Sequence, residues 1–196
     1  MFREDGWVLG LDFAFAREVG DAVDRLNAGS PTILPIGISG STRLSQRLMV
    51  GLHGHGGLAS REDCSTSGDN NCTARTWGLG AHIETAIGGG ATVVPWFRYG
   101  IGWEMLYRGG YAGLNDAYGY RHALDLIDAR LGVDFVAHRS DKANTTRIGP
   151  FVGMITGVSV GDFGSYDDFG RRVALDRPNG DAHFWFSIGV RATTDL

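Results

Sequence analysis

The sequence predicts an all-β fold: an eight-stranded antiparallel up-and-down transmembrane β-barrel, with long loops at one end and short turns at the other, built as a single domain over residues 1–196. Three observations predict it. Every second residue is apolar in eight successive segments, the connections between them alternate long and short, and glycine is in excess, with 31 residues in the chain. Helices bear glycine poorly, at about 1 kcal/mol each relative to alanine, so an all-helical chain is excluded. With 5 Pro and no Gly-X-Y period, collagen is excluded as well. A hydrophobic content of 43% and a formal net charge of −4 fit neither a disordered chain nor a polybasic nucleic-acid binder. No apolar run approaches the roughly 18 residues of a membrane-spanning helix.

The two-residue period of a strand places alternate side chains on opposite faces. Residues 6–16 set Trp7, Leu9, Leu11, Phe13 and Phe15 against Val8, Gly10, Asp12, Ala14 and Ala16. Residues 33–44 set Leu34, Ile36, Ile38 and Leu44 against Gly37, Ser39, Ser41 and Arg43. In residues 48–58, Leu48, Val50, Leu52 and Leu58 oppose Met49, Gly51, His53, His55 and Gly57. In residues 76–86, Trp77, Leu79, Ala81 and Ile83 oppose Gly78, Gly80, His82 and Glu84. The longest segment, 93–107, sets Val93, Phe97, Tyr99, Ile101, Trp103, Met105 and Tyr107 against Trp96, Arg98, Gly100, Gly102 and Glu104. Residues 123–137 begin with Leu124 and Leu126 on one phase, then shift to Ile127, Ala129, Leu131, Val133 and Phe135 opposite Asp128, Arg130, Gly132 and Asp134. A bulge near Ile127 explains the slip. Residues 147–161 place Ile148, Val152, Met154, Val158 and Val160 against Phe151, Gly153, Ile155, Gly157, Ser159 and Gly161. The last segment, 183–193, opposes Phe184, Phe186, Ile188 and Val190 to His183, Trp185, Ser187, Gly189 and Arg191.

The connections follow the same logic. Long polar stretches at residues 18–30, 60–74, 109–120 and 162–182 alternate with short ones at Ser45–Arg47, around Gly88–Gly90, and at a medium-length stretch over 138–146. In an up-and-down sheet this gathers the long loops at one end and the turns, with both termini, at the other.

Volume decides which face is inside. The apolar face carries roughly forty residues, whereas an eight-stranded barrel has an interior only just wide enough for side chains to fill. The opposite face is Gly, Ser, Ala and His with isolated charges, and the chain has a single lysine, Lys142, so this face is not the Lys- and Glu-coated surface of a soluble sheet. The apolar face therefore meets lipid, and the strand glycines mark the crowded concave side. Trp7, Phe97 and Phe135 fall near the turn end and Phe15, Trp77, Trp103 and Tyr107 near the loop end, the positions of two interfacial girdles.

The eight alternating segments, the long loops against short turns, and the closing strand HFWFSIGVRATTDL resemble the small eight-stranded outer-membrane β-barrels of Gram-negative bacteria, the OmpA, OmpX and OmpW type, over essentially the whole chain. The chain departs from that pattern at its end, where Ala192, Thr194 and Leu196 make a weak version of the usual alternating terminal signal with its final aromatic. The resemblance implies a Gram-negative outer-membrane location with the signal peptide removed. It implies outer-membrane lipid, lipopolysaccharide and the outer-membrane assembly machinery as partners, and a monomer. The function expected is structural or surface-interacting, through the extracellular loops. The alternatives are an OmpW-like conduit for small or hydrophobic solutes and a soluble lipocalin-like ligand-binding barrel.

Inside the barrel, Asp12, Arg43, Glu84, Arg98, Glu104, Asp128, Arg130, Asp134 and Arg191 form a nearly neutral polar network. An unpaired charge in a low-dielectric lumen is expensive, so ion pairs that plug the barrel are expected: Glu84 with Arg98 across the fourth turn, and Glu104 with Arg130. His53, His55 and His82 are a candidate metal set, weighed against histidines that simply hydrogen-bond carboxylates. Catalysis finds little footing. His183 and Ser187 share a face, but a spacing of four along a strand separates them by about 13 Å, too far to activate a nucleophile, and no cofactor or enzyme activity is expected. Cys64 and Cys72 bracket the polar segment CSTSGDNNC, which either closes as a disulfide in an oxidising compartment or holds two free thiols. In the loops, the Asp63, Asp69, Asn70 and Asn71 cluster and the Asp162, Asp167 and Asp168 cluster lack an EF-hand spacing. Tyr107, Tyr111, Tyr118 and Tyr120 form either a contact surface or a rim anchor.

Overall fold

The computed structural model describes residues 6–19, 32–60, 73–88, 92–110, 117–139, 144–166, 172–173 and 182–196. These form strands β1 (Trp7–Val19), β2 (Thr32–Arg43), β3 (Leu48–Ser60), β4 (Thr73–Ala86), β5 (Val93–Gly110), β6 (Ala117–Arg139), β7 (Thr145–Tyr166), β8 (Arg172–Val173) and β9 (Ala182–Asp195). Each long strand pairs antiparallel with its sequence neighbour from β1 to β7. β9 then joins β7 to β1, and the sheet closes on itself as an eight-stranded barrel. The two-residue β8 adds a short ladder beside the loop end of β7.

Closure removes every long sheet edge and satisfies the backbone within the wall, which is what a strand structure needs in order to sit in lipid. The wall is inverted relative to a water-soluble protein. Leu52, Ile38 and Leu58 on the outside are 69%, 66% and 66% exposed, while Glu84, Arg98 and Asp128 inside are 2% exposed. Apolar exposure on this scale, running round the whole barrel, marks a surface made for lipid rather than water. The strand glycines Gly10, Gly37, Gly51, Gly57, Gly78, Gly80, Gly100, Gly102, Gly132, Gly153, Gly157 and Gly189 all share the inward phase with these charges.

Local chemistry explains the turns. Between β2 and β3 the Ser45 hydroxyl accepts from the Leu48 and Arg47 amides at 3.1 and 3.3 Å, and the Leu44 amide donates to the Leu48 carbonyl at 2.9 Å, so four residues suffice to reverse the chain. Gly88 takes φ of +89° in the β4–β5 turn, a conformation that favours glycine. Gly6, the first described residue, and the C-terminal Leu196 lie at this end: the Arg43 amide donates to the Gly6 carbonyl, and the Leu196 amide to the Trp7 carbonyl.

The bulge expected near Ile127 is present. The β5–β6 register steps between Gly100 and Gly102, and the β6–β7 register between Asp125 and Ile127. The long loop expected over residues 109–120 is corrected, because the β5–β6 ladder continues to Gly110 opposite Ala117 and leaves only residues 111–116 as the connection.

Candidate functional site in the barrel lumen

Neighbouring strands lie about 4.8 Å apart, so side chains two strands apart face each other across roughly 10 Å. They meet directly only if the residue between them has no side chain. The lumen uses this repeatedly. His183, Gly157 and Asp125 occupy one rung of β9, β7 and β6. A Cβ on Gly157 would stand 2.5 Å from His183 Cε1, and with none there His183 Nε2 reaches Asp125 Oδ1 at 3.1 Å. His55 likewise lies over Gly78, whose partner on β5 is Glu104, and Trp96 lies over Gly132, whose partner on β7 is Phe151. Trp96 and Phe151 ring centroids are then 6.2 Å apart. The lumen glycines are spacers that let long polar and aromatic groups bridge alternate strands.

From the turn end inward, the charges form four layers. In the first, Arg147 donates to both oxygens of Asp195 at 3.2 and 2.9 Å, and Arg43 to one at 2.6 Å. The second is centred on Arg191. Its guanidinium donates to Glu84 at 2.7 and 3.0 Å and to Asp134 at 3.0 and 2.7 Å, and lies 3.4 Å above the Trp96 ring. Arg98 Nε adds a bond to Glu84 at 3.0 Å, and Trp96 Nε1 one to Asp134 at 2.9 Å. In the third, Arg130 clamps Asp128 through Nε and Nη2 at 2.9 and 3.1 Å and reaches Asp12 at 3.0 Å. His53 stands 3.3 Å from Asp128 and 3.3 Å from His82, which meets the Ser41 hydroxyl at 3.0 Å. The fourth, nearest the loops, contains Glu104, Asp125, His183 and Thr76. It borders a cavity of about 50 Å³ whose apolar wall includes Ile33, Phe151, Ile155 and Trp185.

Of the two expected pairings, Glu84 with Arg98 is present at 3.0 Å and the other takes different partners. Glu104 and Arg130 do not meet: the β5–β6 register sets Glu104 opposite Ala123 and Arg130 opposite Arg98, with the bulge between. Glu104 instead accepts from the Thr76 hydroxyl at 2.5 Å. Asp12 and Arg191 are register partners, yet each turns to other groups. The histidine set is not gathered either. His53 and His82 touch, while His55 lies over Gly78 beside Glu104. Among the described residues, the donors that do converge are Glu104, Asp125 and His183.

Sequence reasoning passed over Asp125, Arg147 and Asp195. Asp125 lies between the outward Leu124 and Leu126, so its inward position was readable once the bulge was placed after it; Arg147 and Asp195 alternate with the outward Ile148 and Leu196. Cys64, Cys72, Tyr111, Asn70, Asn71 and the acidic residues Asp63, Asp69, Asp167 and Asp168 lie outside the described residues, and Tyr107, on the outward phase of β5, is half-buried. The expected loop-end girdle includes a direct contact, Trp77 against Trp103, edge to face at 4.7 Å.

Neisserial surface protein A matches with a TM-score of 0.54 at 12% identity, over 94% of this chain and 95% of that one. Ail, the attachment invasion locus protein of Yersinia pestis, matches with a TM-score of 0.51 at 12% identity, over 99% of this chain and all of that one. The chain has the fold of the small eight-stranded outer-membrane β-barrels. No protein-family model matches the sequence, and no curated protein matches it significantly. At this identity the likeness extends to the fold alone.

Proposed function

We propose that this chain resides in the outer membrane of a Gram-negative bacterium as a monomeric barrel with a closed lumen, acting as a structural or surface-interaction protein through its long loops. The observation that carries the reading is the Arg191 layer, in which groups from β4, β5, β6 and β9 join across the lumen through bonds of 2.7–3.0 Å. A permanent aqueous channel requires a wider barrel than eight strands provide. The apolar exterior supports outer-membrane lipid and lipopolysaccharide as surroundings, with insertion by the outer-membrane assembly machinery. The names of the two similar barrels, a surface protein and an attachment protein, support the surface role, and one Ail structure holds the heparin analogue sucrose octasulfate.

A non-catalytic role is part of the proposal. His183, which shares a strand face with Ser187, turns its Nε2 to Asp125. Planar-bilayer recording tests the closed lumen. The purified barrel is expected to give no discrete conductance steps, whereas Arg191→Ala combined with Glu84→Ala, which removes the guanidinium at the centre of the second layer and one of its two carboxylates, is expected to give small ones. Stable steps from the unmodified protein would replace this reading with that of a solute conduit.

A further inference from the structure

Among the described residues, two lumen carboxylates have no arginine. Arg98, Arg130 and Arg191 are committed to Asp12, Glu84, Asp128 and Asp134, while Arg43 and Arg147 serve Asp195 at the opposite end. Glu104 and Asp125 are 4% and 5% exposed on adjacent strands, and among the described residues His183, Thr76 and His55 are the polar groups beside them. Glu104 Oε2 is buried without any hydrogen-bond partner. Like charges buried together without a counter-charge are strongly unfavourable. The preorganisation is nevertheless specific, since Gly157 leaves the space through which His183 reaches Asp125.

We propose that Glu104, Asp125 and His183 form a binding site for a divalent transition-metal cation, with Zn²⁺ as its probe. The donor set of two carboxylates and one imidazole suits such an ion. One ligand atom from each residue already lies within 4.8 Å of the other two. In a tetrahedral site with bonds of about 2.0–2.1 Å, ligand atoms stand about 3.4 Å apart. His183 Nε2 is 3.1 Å from Asp125 Oδ1 and 4.0 Å from Glu104 Oε2, so closure needs side-chain shifts rather than movement of the wall. The ion supplies the missing positive charge and gives Glu104 Oε2 a partner. The adjoining cavity, which Glu104 lines, has room for a water as fourth ligand.

The test refolds the whole chain in detergent with Zn²⁺, removes free metal by gel filtration, and measures metal content together with heat-modifiable gel migration as proof of the folded barrel. The wild type is expected to retain one zinc per folded chain, removable by chelator, and to melt higher with metal than without. Glu104→Gln, Asp125→Asn and His183→Gln are each expected to weaken retention about tenfold or more, and His53→Gln to retain it. A structural role alone would not produce a second expected result: without metal, Glu104→Gln and Asp125→Asn fold at least as stably as the wild type, because each removes an uncompensated charge. Zinc retention equal in the wild type and the Glu104→Gln and His183→Gln variants, no retention by the wild type, or equal loss in His53→Gln would each overturn the proposal.

Discussion

Arg191 donates through three nitrogens to four carboxylate oxygens while its guanidinium plane covers Trp96. Removing one partner of a buried pair leaves the other charge uncompensated, at about 3–5 kcal/mol. Arg191→Ala is therefore expected to lower the unfolding free energy by about that amount in urea titrations of the vesicle-embedded barrel, and a loss under about 1 kcal/mol would mean that Glu84 and Asp134 find other partners. Gly132 supplies a steric counterpart. A Cβ there would stand 2.5 Å from the Trp96 ring and 2.7 Å from the Pro150 carbonyl oxygen, so Gly132→Val is expected to cost about 1–3 kcal/mol through overpacking, read in the same titration. Residues like these were only half legible in the sequence. Alternation gave the face for Arg191, Glu84 and Asp134, because a period of two leaves no choice once the lipid side is known. It did not give partners, since Arg and Glu side chains reach past their own rung, and the glycine spacers let bonds skip a strand. That is why Glu104 was matched to Arg130 and why His55 was grouped with His53 and His82.

At the scale of the strand, lipid burial sets the energetics. Leu52 is on the outward face in the middle of β3, and Leu44 is outward at the start of the β2–β3 turn. Arginine on the lipid face costs about 2–4 kcal/mol at the bilayer midplane and about 0–1 near the interface. Leu52→Arg is thus expected to destabilise the vesicle-embedded barrel by about 2–4 kcal/mol and Leu44→Arg by less than about 1, and equal costs at the two positions would show that depth is misassigned. The strand bodies were legible for the same reason, since lipid on one side forces strict alternation. Strand ends were not. Arg108–Gly110 and Ala117–Tyr120 extend the β5–β6 ladder beyond the apolar pattern, where the backbone pairing continues without a run of alternating apolar residues to announce it. The β6 bulge was legible because Leu126 and Ile127 are consecutive apolar residues that break the period.

For the whole molecule, the glycine excess, the near absence of lysine and the mild net charge are consequences of one arrangement: apolar residues outside, a small-residue lumen crossed by ion pairs inside, and polar connections beyond the wall. The closed order of the sheet makes that arrangement cooperative, because opening any one ladder exposes both backbone groups and lumen charges to lipid. The most direct test of this barrel is gel migration in dodecyl sulfate after refolding into lipid vesicles, compared with and without boiling. The structure predicts a compact, detergent-resistant form that migrates faster unboiled and shifts to the unfolded position on boiling. Identical migration in both lanes, with the chain remaining soluble in detergent-free buffer, would contradict it.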